Sequence, residues 1–264
     1  MEYAGGKMLA EVGDGIGLVT FNQPEKRNAM SVEMWQGLEA ILDRFAADPS
    51  VRVLVLTGAG EKAFVSGADI SQFEKNRANA DAQAEYDRQT SAGRQKLGAF
   101  PKPVVALIRG FCLGGGLGIA MQADLRIASS DSQFGIPAAR LGIAYGFEMV
   151  RTLVSLVGPA NARMILYTGG RIDAAEALRI GLVNSVVAPD ALESEVAGLA
   201  RQLAENAPLS ILSSKLAVAA VLKDPADRDV EGLRRASQAC FDSADYREGR
   251  TAFMEKRRPQ FVGR

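Results

Sequence analysis

Short β-branched runs that each end in glycine constrain this chain most. Val51-Arg52-Val53-Leu54-Val55-Leu56-Thr57-Gly58 is one, and Pro103 to Ile108 followed by Arg109-Gly110 is another. Each is four to eight apolar residues between turn formers, the pattern of a buried strand. Leu18 to Phe21, Leu125 to Ala128 and Val183 to Val187 are further strand candidates. Helical spacing fills the intervals. Ser31 is a good N-cap, and Met34, Leu38, Ile41, Leu42 and Phe45 recur at three and four before Asp48-Pro49 ends the run. Asp81 to Phe100 reads as a polar helix, Leu117 to Gln122 as a short buried one, and 150–157 and 161–167 as two more. Alternation of this kind predicts an α/β class with right-handed crossovers. After about residue 191 only helical patterns appear: 191–205, 209–222, 229–242 and 245–256. The expected organisation is a core over 1–195 and a helical region over 196–264, with Asn76–Glu85 a ragged loop or helix start.

Composition narrows the chemistry. The 264 residues hold 31 Lys plus Arg, 31 Asp plus Glu and no histidine, so bulk charge gives no basis for binding nucleic acid or an anionic membrane. Without histidine there is no Ser-His-Asp or Cys-His nucleophile, no His-ligated zinc and no imidazole proton shuttle. No metal site is expected. Cys112 and Cys240 make no disulfide framework and suit a reducing compartment. The charged and glycine-bearing first ten residues do not read as a secretory signal, and no apolar run approaches the roughly 18 residues of a membrane span. A soluble cytoplasmic protein is expected.

Two segments place glycine where a strand gives way to a helix: Ala63-Phe64-Val65-Ser66-Gly67-Ala68-Asp69-Ile70 and Gly110-Phe111-Cys112-Leu113-Gly114-Gly115-Gly116-Leu117-Gly118. Glycine permits close approach, and a helix N-terminus leaves N–H groups unpaired. Two such groups aimed at one point can hold a carbonyl oxygen as it gains negative charge. For a single such cluster, close helix–strand packing is the plainer reading. A dinucleotide fingerprint does not fit the spacing.

In order along the chain, Pro24-Glu25-Lys26-Arg27-Asn28-Ala29-Met30, Phe64 to Ile70, the Gly114 triplet with Ala120-Met121-Gln122-Ala123-Asp124, Phe134-Gly135-Ile136-Pro137, Leu141-Gly142-Ile143, Leu166-Tyr167-Thr168-Gly169 and Glu248-Gly249 with Phe253, Lys256 and Arg257 resemble the crotonase superfamily, the enoyl-CoA hydratase/isomerase group. The likeness spans nearly the whole chain. It implies a spiral of ββα turns with a C-terminal helical trimerisation region, assembled as a homotrimer or dimer of trimers. It also implies a coenzyme A thioester substrate and no separate cofactor, with an oxyanion hole from the N–H groups of Ala68 and Gly115. Lys26, Arg27, Ala29, Ala68, Asp69 and Ile70 become candidate CoA-binding residues, joined by Phe253 and Lys256 of the tail.

The chain departs from that family where hydratases carry two glutamates: Gly118 and Ala138 stand there, and neither transfers a proton. Losing a positioned acid or base costs about 100- to 10,000-fold. Tyr145, after Leu141-Gly142, resembles the tyrosine of malonyl-type CoA decarboxylases in this superfamily, and Glu148 is the nearest carboxylate in sequence. Both are candidate catalytic residues; a packing tyrosine and a glutamate paired with Arg151 are the plainer readings. The reaction expected first is decarboxylation of a malonyl-type acyl-CoA. A hydratase or isomerase with non-standard acid/base residues, CoA-ester hydrolysis or carbon–carbon cleavage, and a non-catalytic CoA-ester binding subunit stand beside it.

Overall fold

The computed structural model describes residues 1–69 and 80–264, so Ile70 and the first part of Asn76–Glu85 lie outside the described residues. The chain opens with an antiparallel meander of β1 (Glu2–Tyr3), β2 (Met8–Gly13) and β3 (Ile16–Phe21). Asp14 and Gly15, with φ of 51° and 80°, form the two-residue turn between β2 and β3. Asp-Gly between two apolar segments is a strong hairpin signal, yet only β3 is evident from the apolar pattern. Helix α1 (Val32–Ala47) follows, capped by Ser31, whose Oγ accepts from the Met34 N–H at 3.3 Å. Its spacing buries Met34, Leu38, Ile41, Leu42 and Phe45, as expected, and Trp35 besides.

Three successive turns then repeat one plan. A strand enters a first sheet, the next strand enters a second sheet, and a helix returns the chain. The strand pairs are β4 (Val53–Gly58) with β5 (Ala63–Val65), β6 (Val104–Ile108) with β7 (Phe111–Leu113), and β8 (Leu125–Ser129) with β9 (Gln133–Gly135). The helices that follow them are α2 (Ala80–Gly98), α3 (Gly115–Ala120) and α4 (Ala138–Leu141). After α5 (Phe147–Thr168), β10 (Arg171–Asp173), α6 (Ala174–Arg179) and β11 (Ser185–Val187) close the two sheets. The larger sheet runs β1-β2-β3-β4-β6-β8-β11 and is parallel from β3 onward; the smaller runs β10-β9-β7-β5. Residues 150–157 and 161–167, expected as two helices, lie in α5, which breaks at Gly158 (φ 74°, ψ 166°) just before Pro159.

From Leu192 the described elements are α7 (Leu192–Glu205), α8 (Pro208–Val221), α9 (Val230–Asp242) and α10 (Ala244–Glu255). Leu192, Val196 and Ala200 of α7 pack on Val53, Val55, Val105 and Ile127 of the larger sheet. The division expected between residues 195 and 196 therefore falls inside a helix that belongs to the sheet's packing. Asp124, just beyond α3, accepts from the Val104 N–H and from Lys215 Nζ of α8, each at 2.7 Å. Asp124→Ala leaves the Val104 N–H unpaired and Lys215 Nζ with only the Lys102 carbonyl at 3.0 Å, so a loss of about 1–3 kcal/mol is expected in urea unfolding.

Candidate active site

The site grows from a three-bond zipper. Residues 27–30 run beside 66–69: the Ser66 N–H donates to Arg27 O (3.1 Å), the Met30 N–H to Gly67 O (2.8 Å) and the Asp69 N–H to Met30 O (2.9 Å). Asn28, fully buried, pins this segment to the β4–β5 turn by donating to Ala59 O (2.9 Å) and Ala63 O (2.8 Å). In this parallel bridge Met30 uses the residues flanking Ala68. Ala68's own N–H has no acceptor among the described residues and faces away from Met30.

On that other side lies Gly115. A β-carbon built on Gly115 would sit 3.8 Å from Ala68 N. Gly114, with φ 51° and ψ −116°, is the N-cap of α3, a conformation closed to side chains. Its N–H is used by Gly135 O at 2.8 Å, and the first N–H bonded back along α3 is that of Gly118, to Gly114 O at 3.0 Å. The Gly115 N–H is one of the helix's unpaired first-turn donors. Gly116 permits the approach: a β-carbon there would drive into the Val65 carbonyl oxygen at the end of β5. Two unpaired N–H groups, from Ala68 and Gly115, thus border one small space.

The loop after α4 splits the two side chains expected to do chemistry. Tyr145 turns inward, its Oη 3.4 Å from Gly114 O, and burial pushes its phenol well above the usual range, opposed only in part by Arg94. Glu148 turns outward. It is more than half exposed in the first turn of α5 and pairs with Arg151 at 2.9 Å. The plainer of its two readings is the one the structure matches. Gly118 and Ala138 offer no carboxylate, and Ala138 is buried. Sequence reasoning passed over Met149, which follows Tyr145 by four residues at the onset of α5 and packs beside its hydroxyl.

Among the CoA-binding candidates, Asp69 is buried and holds Lys26 Nζ at 2.8 Å. The Arg27 guanidinium lies 5.2 Å from the centre of the Phe111 ring, which Arg171 also approaches at 4.9 Å. Ala29 is buried, whereas Phe253 and Lys256 stand exposed at the end of α10. Cys112 is buried and its thiol is pushed up by desolvation. No cluster of three metal-ligating side chains occurs among the described residues, and no helix there is long and apolar enough to cross a membrane.

A family profile described as enoyl-CoA hydratase/isomerase matches residues 11–264. The chain belongs to the enoyl-CoA hydratase/isomerase family. It is 37% identical over 257 residues to the crotonyl-CoA hydratase of Syntrophomonas wolfei, covering 97% of this chain and 98% of that protein. It is 36% identical over 253 residues to the (E)-benzylidenesuccinyl-CoA hydratase of Thauera aromatica, covering 96% and 98%. The fold superposes on an enoyl-CoA hydratase/carnithine racemase from Magnetospirillum magneticum with a TM-score of 0.93 at 37% identity, over 98% of this chain and 96% of that one. The crotonase-like α/β spiral expected from sequence is the fold observed. Decarboxylation, the reaction expected first, finds no support in these relatives, which carry hydratase names.

Gly115→Ala tests the paired N–H groups without unfolding the site. Its methyl meets nothing closer than 3.8 Å, so thermal stability should hold, yet it projects into the space beside Ala68 N. Thioester turnover should fall on the order of tenfold or more, since the donors act only at short range. Wild-type turnover in the folded variant would show that the thioester does not occupy the space beside Ala68 N.

Proposed function

We propose that this family member hydrates or isomerises an enoyl-CoA thioester, with Tyr145 and water in place of the family's two glutamates. The observation that carries the reading is the pair of unpaired N–H groups at Ala68 and Gly115 across one small space. The thioester carbonyl lies between them and its oxygen takes up enolate charge, each donor contributing roughly 3 kcal/mol. Tyr145 is kept protonated by burial, so it enters the step as a donor: it hands its proton to the enolate carbon while the proton released by the attacking water returns to the phenol oxygen, leaving Tyr145 neutral again. Lys26 and Arg27 meet the CoA phosphates, and Asp69 holds Lys26 in register with the Ala68 loop. Ala29 backs that segment. Phe253 and Lys256 cover the nucleotide of a neighbouring subunit in a homotrimer or dimer of trimers. Exposed Val218, Val221, Leu222, Phe241, Phe253 and Met254 on the C-terminal helices fit such burial.

The test is a substrate panel with the purified protein, read by mass spectrometry. Crotonyl-CoA should be hydrated or isomerised at a rate about 100- to 10,000-fold below that of a two-glutamate enzyme for each missing group. Tyr145→Phe keeps the ring and loses a hydrogen bond, so the rate should drop about ten- to a hundredfold. Glu148→Gln should leave it near wild type, because that carboxylate faces solvent. Carbon dioxide release from malonyl-CoA, with crotonyl-CoA untouched, would replace this reading with decarboxylation.

The pH profile gives an independent check. A phenol whose ionisation lies above its ordinary value of about 10 stays protonated through neutrality. With no histidine in the chain, kcat should be flat between roughly pH 6 and 9. A bell centred near neutrality would assign the proton transfer to another group.

A further inference from the structure

Helices α3 and α5 meet at Gly118. A β-carbon built there would fall inside the contact radius of the Met149 methyl, 3.5 Å from Met149 Sδ and 3.2 Å from Tyr145 Oη. Met149 is itself buried. Gly118 lies three residues beyond Gly115, so the two share one face of α3, a single turn apart. The Met149 methyl therefore fills the volume that residue 118 leaves empty, one turn beyond the paired N–H groups and beside the Tyr145 hydroxyl.

We propose that Met149 is the specificity-determining residue for the acyl chain. Its thioether closes the site below the carbonyl pocket and restricts it to short, apolar acyl groups. The proposal rests on the acyl-CoA reading above. One helical turn advances about 5.4 Å, which leaves an extended chain running from the carbonyl along α3 room for only a few carbons before it meets the methyl. The wall it meets is apolar, because a thioether neither donates a proton nor needs one. Positions 118 and 149 are coupled: a side chain at one displaces the side chain at the other.

Binding of saturated acyl-CoA esters reads this without requiring turnover. Calorimetry on the full chain would compare free CoA, butyryl-CoA and octanoyl-CoA for wild type, Met149→Ala and Met149→Leu. The octanoyl-to-butyryl affinity ratio should rise about tenfold or more in Met149→Ala, by a smaller factor in Met149→Leu, with free CoA unchanged. Gly118→Ala should weaken butyryl-CoA by pushing the methyl toward the chain, and adding Met149→Ala should restore it, a non-additive cycle. A folded Met149→Leu or Gly118→Ala/Met149→Ala protein with wild-type chain-length preference overturns the proposal and leaves Met149 as core packing. If wild type binds no acyl-CoA, the functional reading fails and this inference with it. If it binds esters but never turns over crotonyl-CoA, only the reaction assignment fails, and the chain-length result stands or falls by itself.

Discussion

The contact between Gly116 and the Val65 carbonyl is the approach on which the site depends. No other residue lets α3 sit against the end of β5, because any β-carbon would meet a backbone atom that cannot swing aside. With that approach fixed, the first turn of α3 lands beside Ala68. The two unpaired N–H groups come from consecutive turns of the spiral, one after β5 and one after β7. The ββα repeat is thus what brings together residues 47 positions apart in the chain.

A second constraint orients the other half. Ala68 faces Gly115 because Met30 occupies the groups on either side of it, and the segment carrying Met30 is pinned by the buried Asn28 amide, which donates to the Ala59 and Ala63 carbonyls. The Lys26–Asp69 pair closes the same loop from its outer side. The segment Lys26-Arg27-Asn28-Ala29-Met30 therefore works chiefly as a brace. Its Asn and Met are spent on geometry, and Lys26 on the pair with Asp69.

These arrangements explain what was legible. The long parallel strands and α1 declare themselves because they are buried and their periodicity is unbroken. Strands β5, β7, β9 and β10 are each three residues long, too short for any period to register. The oxyanion segments were legible through their glycines, since backbone demands leave few residue choices. The fate of Glu148 and Met149 was not, because successive helical residues point about 100° apart, and only the placement of α5 decides which meets α3. A resemblance read one residue at a time has no access to that rotation.

The same distinction bears on chemistry. An oxyanion hole made from main-chain N–H groups survives almost any substitution that keeps the fold, so family membership carries that half of a mechanism faithfully. Acid and base groups are side chains, and they change freely. Restoring a glutamate at position 118 alone would meet the Met149 methyl, so the loss at Gly118 is locked in by its neighbour. The carboxylate and the space for it would have to return together. Among the described residues, the neutral phenol of Tyr145 is the proton donor proposed for this pocket, which makes enolate stabilisation by the main chain the larger part of the proposed chemistry.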